Sequence, residues 1–150
     1  MDELDSAIVA ALQADGRRSN RDLAGALGVS PSTTLERVRS LRARGVITGI
    51  HAAVNLTELR RPVQAMVTVR LRPQSRHIVA GFRDFVIQLP ETLQVFVTTG
   101  SDDVLVHVAV ASTEALRDFV LDALTKRREV AGVRTEVVFD HLRNHTVSPS

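Results

Sequence analysis

The spacing of apolar residues changes near residue 62, and this change constrains the fold more than any other feature. In the first 45 residues apolar side chains recur every three or four positions, as in Leu4, Ile8 and Leu12, which is the period of an amphipathic helix. From Val63 onward, short stretches that alternate apolar and polar residues are interleaved with helical ones, a pattern typical of strands between helices. The sequence therefore predicts an α+β protein with a helical N-terminal part and a mixed C-terminal part.

The N-terminal part carries the start and stop signals of three helices. Ser19, followed three residues later by Asp22, resembles a capping box. Gly28 marks a tight turn, and Ser30 with Pro31 supplies an N-cap and an N1 proline for a third helix. Two short helices joined by a tight glycine turn predict a helix-turn-helix unit.

After the third helix the pattern becomes β-like for a short distance. Residues 46–50 and 51–54 are two such pieces with Gly49 near their junction, which predicts a small hairpin, or wing. The predicted DNA-binding domain therefore spans residues 1–54. Residues 55–62 resemble a linker.

The C-terminal part has the order β-α-β-β-α-β, the ferredoxin-like arrangement. Its predicted elements are strand 63–71, helix 76–88, strand 93–99, strand 104–111, a helix capped by Ser112, and strand 133–142. Two helices cover one face of such a sheet, so an apolar second face needs its own cover. We expect residues 63–142 to form an oligomerising domain that packs on another subunit, followed by a polar tail at 143–150.

Positive charge is concentrated in one short stretch. Residues 16–61 hold nine arginines against three acids, a net charge of +6, whereas residues 62–150 balance to zero. The planar guanidinium of Arg suits phosphates and guanine edges. The charge is also compatible with an ordinary solvated surface, so it supports a DNA-binding prediction without establishing it.

The third helix is predicted to lie in the major groove of duplex DNA. Helical spacing places Leu35, Val38 and Leu41 on its inward face, with Thr34 and Arg42 at the margins of that face. The candidate DNA contacts are Arg17, Arg18, Arg21, Ser30, Ser32, Thr33, Glu36, Arg37, Arg39 and Ser40, with Thr48 and His51 of the wing as weaker candidates. Arg37 and Arg39 could read guanine or hold the backbone. The alternative is a three-helix interaction module that never touches DNA.

Other classes of protein find little support. The chain has no cysteine, so disulfides and thiolate metal sites are excluded. No apolar run is long enough to cross a bilayer and the start is acidic, so we expect a cytoplasmic protein without a membrane partner.

Catalysis and metal binding are the remaining rivals. Ser101, Asp103 and His107 lie close in sequence, but no nucleophile elbow or phosphate loop accompanies them. His141 and His145 have the spacing of a helical metal pair, but they fall in a tail that we expect to be solvated. We therefore predict neither an enzyme nor a metal site.

Motifs along nearly the whole chain resemble the leucine-responsive regulatory protein/AsnC (Lrp/AsnC) family of transcriptional regulators. The matching stretches are Leu4-Asp5-x-x-Ile8, Leu12 to Arg17, Asp22-Leu-Ala24, Leu27 to Ser30, Arg37-Val-x-x-Leu41, Gly45-Val-Ile47, Gly100-x-x-Asp103 and Thr135. The resemblance implies a winged helix-turn-helix, a linker strand and a ferredoxin-like effector domain. It also implies homodimers that assemble into tetramers or octamers, and palindromic DNA sites, as dimer symmetry requires.

The resemblance further implies an effector, usually an amino acid, bound between dimers. The implied contacts are Gly100, Ser101, Asp102, Asp103 and Thr135. Asp103 could hold an α-ammonium, and free N–H groups at Gly100 and Ser101 could take a carboxylate. No other cofactor is implied. The alternatives are an ordinary hairpin turn at this position and an architectural DNA-binding protein that responds to no effector.

Overall fold

The computed structural model describes residues 1–148. The chain folds into two compact units. One unit, the head, comprises Met1–Ala53, and the tail residues 142–148 pack with it. The C-terminal unit comprises Val54–His141. No helix in the described part of the chain is long and apolar enough to cross a membrane.

Three helices build the head: α1 (Glu3–Ala14), α2 (Asn20–Leu27) and α3 (Pro31–Ala43). The predicted capping box of α2 is present, with Ser19 and Asp22 each bonded to the other's backbone N–H. Gly28 ends α2 in the left-handed conformation, at φ +67°, where a Cβ is disfavoured. The local signals in the sequence therefore predicted these helix ends correctly.

The predicted wing is wrong as a hairpin. Gly45 ends α3 at φ +72°, and the amides of Val46 and Ile47 both donate to the Leu41 carbonyl, at 2.9 and 3.2 Å. Residues 48–55 then form no strand. The β-like composition was misleading because an isolated two-stranded hairpin has little stability without a sheet or helix to pack on.

The linker is also not a strand. Residues 56–60 are turns, and the Asn55 side chain accepts hydrogen bonds from the amides of Thr57 and Glu58. Arg60 takes φ +59°, a left-handed conformation that suits glycine better than arginine. Side chain-to-backbone bonds of this kind favour turns over extended chain.

The C-terminal unit has the predicted β-α-β-β-α-β order. Its elements are β1 (Val63–Leu71), α4 (Arg76–Val86), β2 (Thr92–Val97), β3 (Val104–Val110), α5 (Thr113–Asp118) and β4 (Val130–Val138). A π-helical turn, Phe119–Leu124, continues α5. The four strands are antiparallel in the order β2-β3-β1-β4.

The last strand lies a few residues earlier than the predicted 133–142. Beyond a bulge at Arg70/Leu71, Leu71 pairs with Val130, and the final pair is Gln64 with Val138. Strand β4 ends there because β1 begins at Val63 and offers no further backbone partner.

The core of this unit lies between the helices and one face of the sheet. Alternate residues of β1 are fully buried, and the helices contribute Phe82, Val86 and Leu116. The opposite face carries Met66, Leu105 and the 44% exposed Phe96. That second face is partly apolar and has no helix over it in the described chain.

Candidate DNA-binding surface and effector turn

Helix α3 is rotated relative to the face that hydrophobicity predicted. Thr34 and Leu41 are fully buried, whereas Leu35 is 40% exposed. The prediction that Leu35 points inward is therefore wrong. Thr34 can occupy the buried position because its hydroxyl donates to the Ser30 carbonyl at 3.1 Å, so no polar group is left unsatisfied.

The same rotation turns Arg37 toward α1. Its guanidinium forms ion pairs with Asp2 and, at 3.2 Å, with Asp5. Asp5 also binds Arg44 at 2.7 Å and is itself only 3% exposed. The sequence predicted Arg37 as a DNA contact, whereas the structure places its charged end in an ion-pair network within the head.

The ion-pair network shifts the pKa values of Asp2 and Arg37. The pKa of Asp2 is lowered, first by the hydrogen bond from the Asp5 N–H and then by Arg37. The pKa of Arg37 is raised, chiefly by its hydrogen bond to Asp2. Both directions favour the charged forms, so the ion pair is held in the ionised state.

The exposed side of α3 carries four of the predicted contact residues: Ser32, Glu36, Arg39 and Ser40. Within residues 1–148, neither Glu36 nor Arg39 has an oppositely charged partner within 4.0 Å. Arg39 therefore has a free guanidinium on the face that a groove helix would present to base pairs.

Hydroxyl groups cluster at the N-terminus of α3. The Ser30 Oγ lies 2.9 Å from the Ser32 Oγ and 2.8 Å from the Thr33 Oγ1, and it accepts the Thr33 N–H at 3.1 Å. A helix N-terminus attracts phosphate through its free N–H groups and dipole. Sequence reasoning missed Asn20, whose side-chain amide donates to the Pro31 carbonyl at 2.6 Å and ties α2 to this end of α3.

Five arginines of the head are exposed and lack an acidic partner within 4.0 Å in the described chain. They are Arg17, Arg18, Arg21, Arg39 and Arg42. The weaker candidates Thr48 and His51 are exposed on the segment that forms no strand. The positive charge of the head is thus accessible to phosphate at five positions and neutralised at two.

Asp103 is engaged within the chain. It is 3% exposed, its Oδ2 accepts the Leu71 N–H at 2.7 Å, and its Oδ1 accepts a hydrogen bond from the Gln74 side chain. Its own N–H donates to the Val69 carbonyl at 3.0 Å. These contacts fix the turn before β3 to the end of β1, so the carboxylate that the resemblance assigned to an α-ammonium already holds two donors.

The rest of the turn is more accessible. Gly100 takes φ +125°, and the N–H groups of Gly100 and Ser101 donate no hydrogen bond within residues 1–148. Asp102 accepts the Ser101 hydroxyl at 3.3 Å and lies 3.4 Å from the Arg134 guanidinium. Arg134 is a residue that sequence reasoning missed.

Thr135 is separated from Arg134 by the pleat of the sheet. It pairs with the buried Val67, whereas Arg134 pairs with Thr68. Directly paired residues share a face and successive residues alternate, so the Thr135 side chain leaves β4 on the helix side. The structure brings Asp102 together with Arg134 and does not bring Thr135 to the same face.

The two histidines considered as a metal pair, His141 and His145, do not share a helix. From Phe139 to Ser148 the chain forms neither helix nor strand. The His141 ring instead lies 5.5 Å from the His107 ring, edge to face. Among residues 1–148 no group of three His, Asp or Glu side chains is placed to hold a metal ion.

Two family models match the two units of this chain. The AsnC-type helix-turn-helix domain matches residues 1–42. The Lrp/AsnC ligand binding domain matches residues 64–148, more than half of the chain.

Named relatives match over almost the full length. The transcriptional regulator AldR of Mycobacterium tuberculosis is 36% identical over 95% of this chain and 80% of its own length. The leucine-responsive regulatory protein of Rhizobium meliloti is 31% identical over 96% of this chain and 92% of its own.

Solved structures of similar proteins share the whole fold. A transcriptional regulator of Neisseria meningitidis, crystallised with L-Met, has a TM-score of 0.88 at 27% identity and covers 99% of this chain and 96% of its own. The crystal structure of AldR from M. tuberculosis gives a TM-score of 0.84 at 33% identity and covers 99% of this chain and 97% of its own.

Proposed function

Since the chain belongs to the Lrp/AsnC family of helix-turn-helix transcriptional regulators, we propose that it binds a palindromic duplex operator as a homodimer, with α3 in the major groove. Its family and relatives are regulators of transcription and not enzymes. The observation that carries the operator proposal is the set of five exposed arginines around α2 and α3 that have no acidic partner among residues 1–148. A protein that acts on the chromosome would work in the cytoplasm.

Within this surface the roles divide by position. Arg39, Ser40, Glu36 and Ser32 lie on the exposed side of α3 and are the candidates for contact with base edges. Arg17, Arg18 and Arg21, together with the hydroxyls of Ser30 and Thr33, would hold phosphates and set the register.

Salt-dependent DNA binding tests this proposal. Arg39→Ala should weaken binding to a duplex selected by the unaltered protein, and Arg21→Ala, at a position proposed to hold phosphate, should reduce the salt slope by about 0.9. The matched control is Arg128→Ala, which removes the same charge from an exposed position in the C-terminal unit. Equal losses for Arg39→Ala and Arg128→Ala would contradict a contact role for Arg39.

Dimerisation would use the second face of the sheet. Met66 and Leu105 are half-buried there and Phe96 is 44% exposed, and an apolar face of this kind needs cover in water. Light scattering should give at least twice the 16.4 kDa chain mass, and Leu105→Asp should lower it. Higher assembly, to a tetramer or octamer, would show as a larger mass at higher concentration.

We further propose that a small effector, an amino acid, binds at the turn Gly100 to Asp103. Support comes from the ligand binding domain match and from the relative crystallised with L-Met. The free amides of Gly100 and Ser101 suit a carboxylate, and Asp102 beside Arg134 adds charges of both signs. Asp103 would hold the turn in place, and Thr135 would contribute only from the other face of β4.

A thermal-shift screen against the twenty amino acids tests the effector, because a ligand that binds only the native state raises the melting temperature. A shift that is lost in Asp102→Ala, but kept in Asp84→Ala at an exposed position of α4, would support this site. No shift with any amino acid would favour the second candidate, an architectural DNA-binding protein that responds to no effector.

A further inference from the structure

Two acidic residues at the start of α1 hold two of the nine arginines in the basic stretch. Asp2 and Asp5 bind Arg37, and Asp5 also binds Arg44 at 2.7 Å. Arg37 belongs to α3, the helix proposed to enter the groove, and Arg44 caps its C-terminus. Neither arginine is therefore equivalent to the unpaired Arg39 and Arg42 on the same helix.

We propose that Asp2 and Asp5 determine DNA specificity by withholding Arg37 and Arg44 from the phosphate backbone. The inference rests on the proposed DNA binding and adds a restraint to it. Sequence-independent affinity grows with the number of phosphates that Lys and Arg neutralise. Pairing two arginines internally lowers that affinity, while contacts with base edges are kept.

Asp5 holds both arginines strongly because of its position. Its side chain is 4% exposed, and each carboxylate oxygen faces a different arginine, Oδ1 toward Arg37 and Oδ2 toward Arg44. A buried carboxylate that lost both partners would be left uncompensated, which is costly. DNA phosphates therefore compete poorly for these two guanidinium groups.

Arg37 and Arg44 are nevertheless partly exposed, so they could contact DNA if their acidic partners were mutated. The side chains of Arg37 and Arg44 are 39% and 47% exposed. If the acids were neutralised, both could reach solvent and phosphate. Removing the acids should therefore strengthen non-specific binding, whereas simple damage to the fold would weaken all binding.

The experiment measures affinity for a random-sequence duplex at two salt concentrations, for Asp5→Asn and for Glu3→Gln. Glu3 is exposed and has no ion pair in the described chain, so it controls for the change in net charge. Asp5→Asn removes the ion-pair partner of Arg44, and freeing this one arginine should increase the gain in affinity between about 200 and about 50 mM salt roughly threefold. The double variant Asp2→Asn/Asp5→Asn frees Arg37 as well and should increase that gain roughly tenfold. Binding to a selected duplex should rise less, so the ratio of specific to random affinity falls.

A second comparison avoids any folding defect of Asp5→Asn. In the otherwise unaltered protein, Arg21→Gln should weaken binding to the random duplex, because Arg21 is proposed to hold phosphate, whereas Arg37→Gln should not. In an Asp2→Asn background, where Arg37 keeps only its 3.2 Å contact with Asp5, Arg37→Gln should begin to weaken it.

These measurements distinguish a failure of arginine withholding from a failure of DNA binding itself. Random-duplex binding by Asp5→Asn no tighter than that by Glu3→Gln would overturn the withholding of these arginines and leave DNA binding standing. Equal losses from Arg37→Gln and Arg21→Gln in the unaltered protein would do the same. If the unaltered protein bound neither duplex, the proposed function would fail, and the inference would fail with it.

Discussion

The two units of this protein are stabilised in different ways. The C-terminal unit has one contiguous core that includes Phe82, Leu71 and Leu124, each at most 1% exposed. The buried apolar residues of the head are fewer and come one or two from each helix: Ile8, Leu23, Ala24 and Leu41. The head adds ion pairs between α1 and α3 to this smaller core.

Each unit leaves a different kind of surface without a partner inside the described chain. Five surface arginines of the head form no ion pair within the described part of the chain, which keeps their positive charge available for an anionic partner. The C-terminal unit leaves a partly apolar sheet face uncovered, a feature that suits contact with another protein surface. The head therefore presents mainly charge on its surface, whereas the C-terminal unit presents a partly apolar sheet face.

The largest expected effect on stability comes from a mutation in the small apolar core of the head. Leu41→Ala should lower the free energy of unfolding of the head by about 2–5 kcal/mol, because it opens a cavity at a fully buried position. Urea unfolding followed by circular dichroism at helical wavelengths measures it. Leu35→Ala on the same helix, at a 40% exposed position, should cost far less. Similar costs for both would restore the inward face that hydrophobicity predicted.

A smaller effect on stability should distinguish Asp102 from Asp103, the two acids of the turn before β3. Asp103→Ala should cost about 1–3 kcal/mol, because it leaves the buried Leu71 N–H without its acceptor. Asp102→Ala should change the free energy of unfolding by less than about 1 kcal/mol, since its partner Arg134 is largely exposed. Thermal unfolding of both variants decides the point, and an equal loss would mean that Asp102 is also structural.

Much of the fold was predictable because its signals are local. The capping box at Ser19, the glycine turn at Gly28 and the alternation along β1 depend on neighbours in sequence, and each prediction was confirmed. The wing failed because a β-like composition needs a partner strand, and no local signal says whether one is present.

The site was less predictable because it depends on contacts between distant residues. Arg37 and Asp2 are 35 positions apart, and Asp103 and Leu71 are 32 apart. Residue type suggested that Arg37 contacts DNA, and the family resemblance implied that Asp103 contacts an effector. In the structure, residues distant in sequence bind both side chains. The assignment of Leu35 to the core failed for a related reason, since a threonine that satisfies its own hydroxyl can replace a leucine in the buried stripe.

His107 lies on the sheet face that no helix covers in the described chain, and its protonation should affect stability. It is 6% exposed, its Nε2 lies 3.0 Å from the Gln64 side-chain oxygen, and the His141 ring packs beside it. Burial, and then the charge of His141, lower the pKa of His107 below its usual 6.5. The folded state therefore binds fewer protons than the unfolded state as the pH falls below that value.

Stability should accordingly be unaffected by His107 above about pH 6.5 and should decline as the pH falls toward the lowered folded-state pKa. Urea midpoints of the C-terminal unit, measured from neutral to mildly acidic pH, give the slope. His107→Gln should flatten it, whereas His77→Gln, at an exposed position of α4, should leave it unchanged. If the slope survived in His107→Gln, the acid sensitivity of this unit would have to arise from other groups, and the uncovered face would carry no buried titratable side chain that matters to its stability.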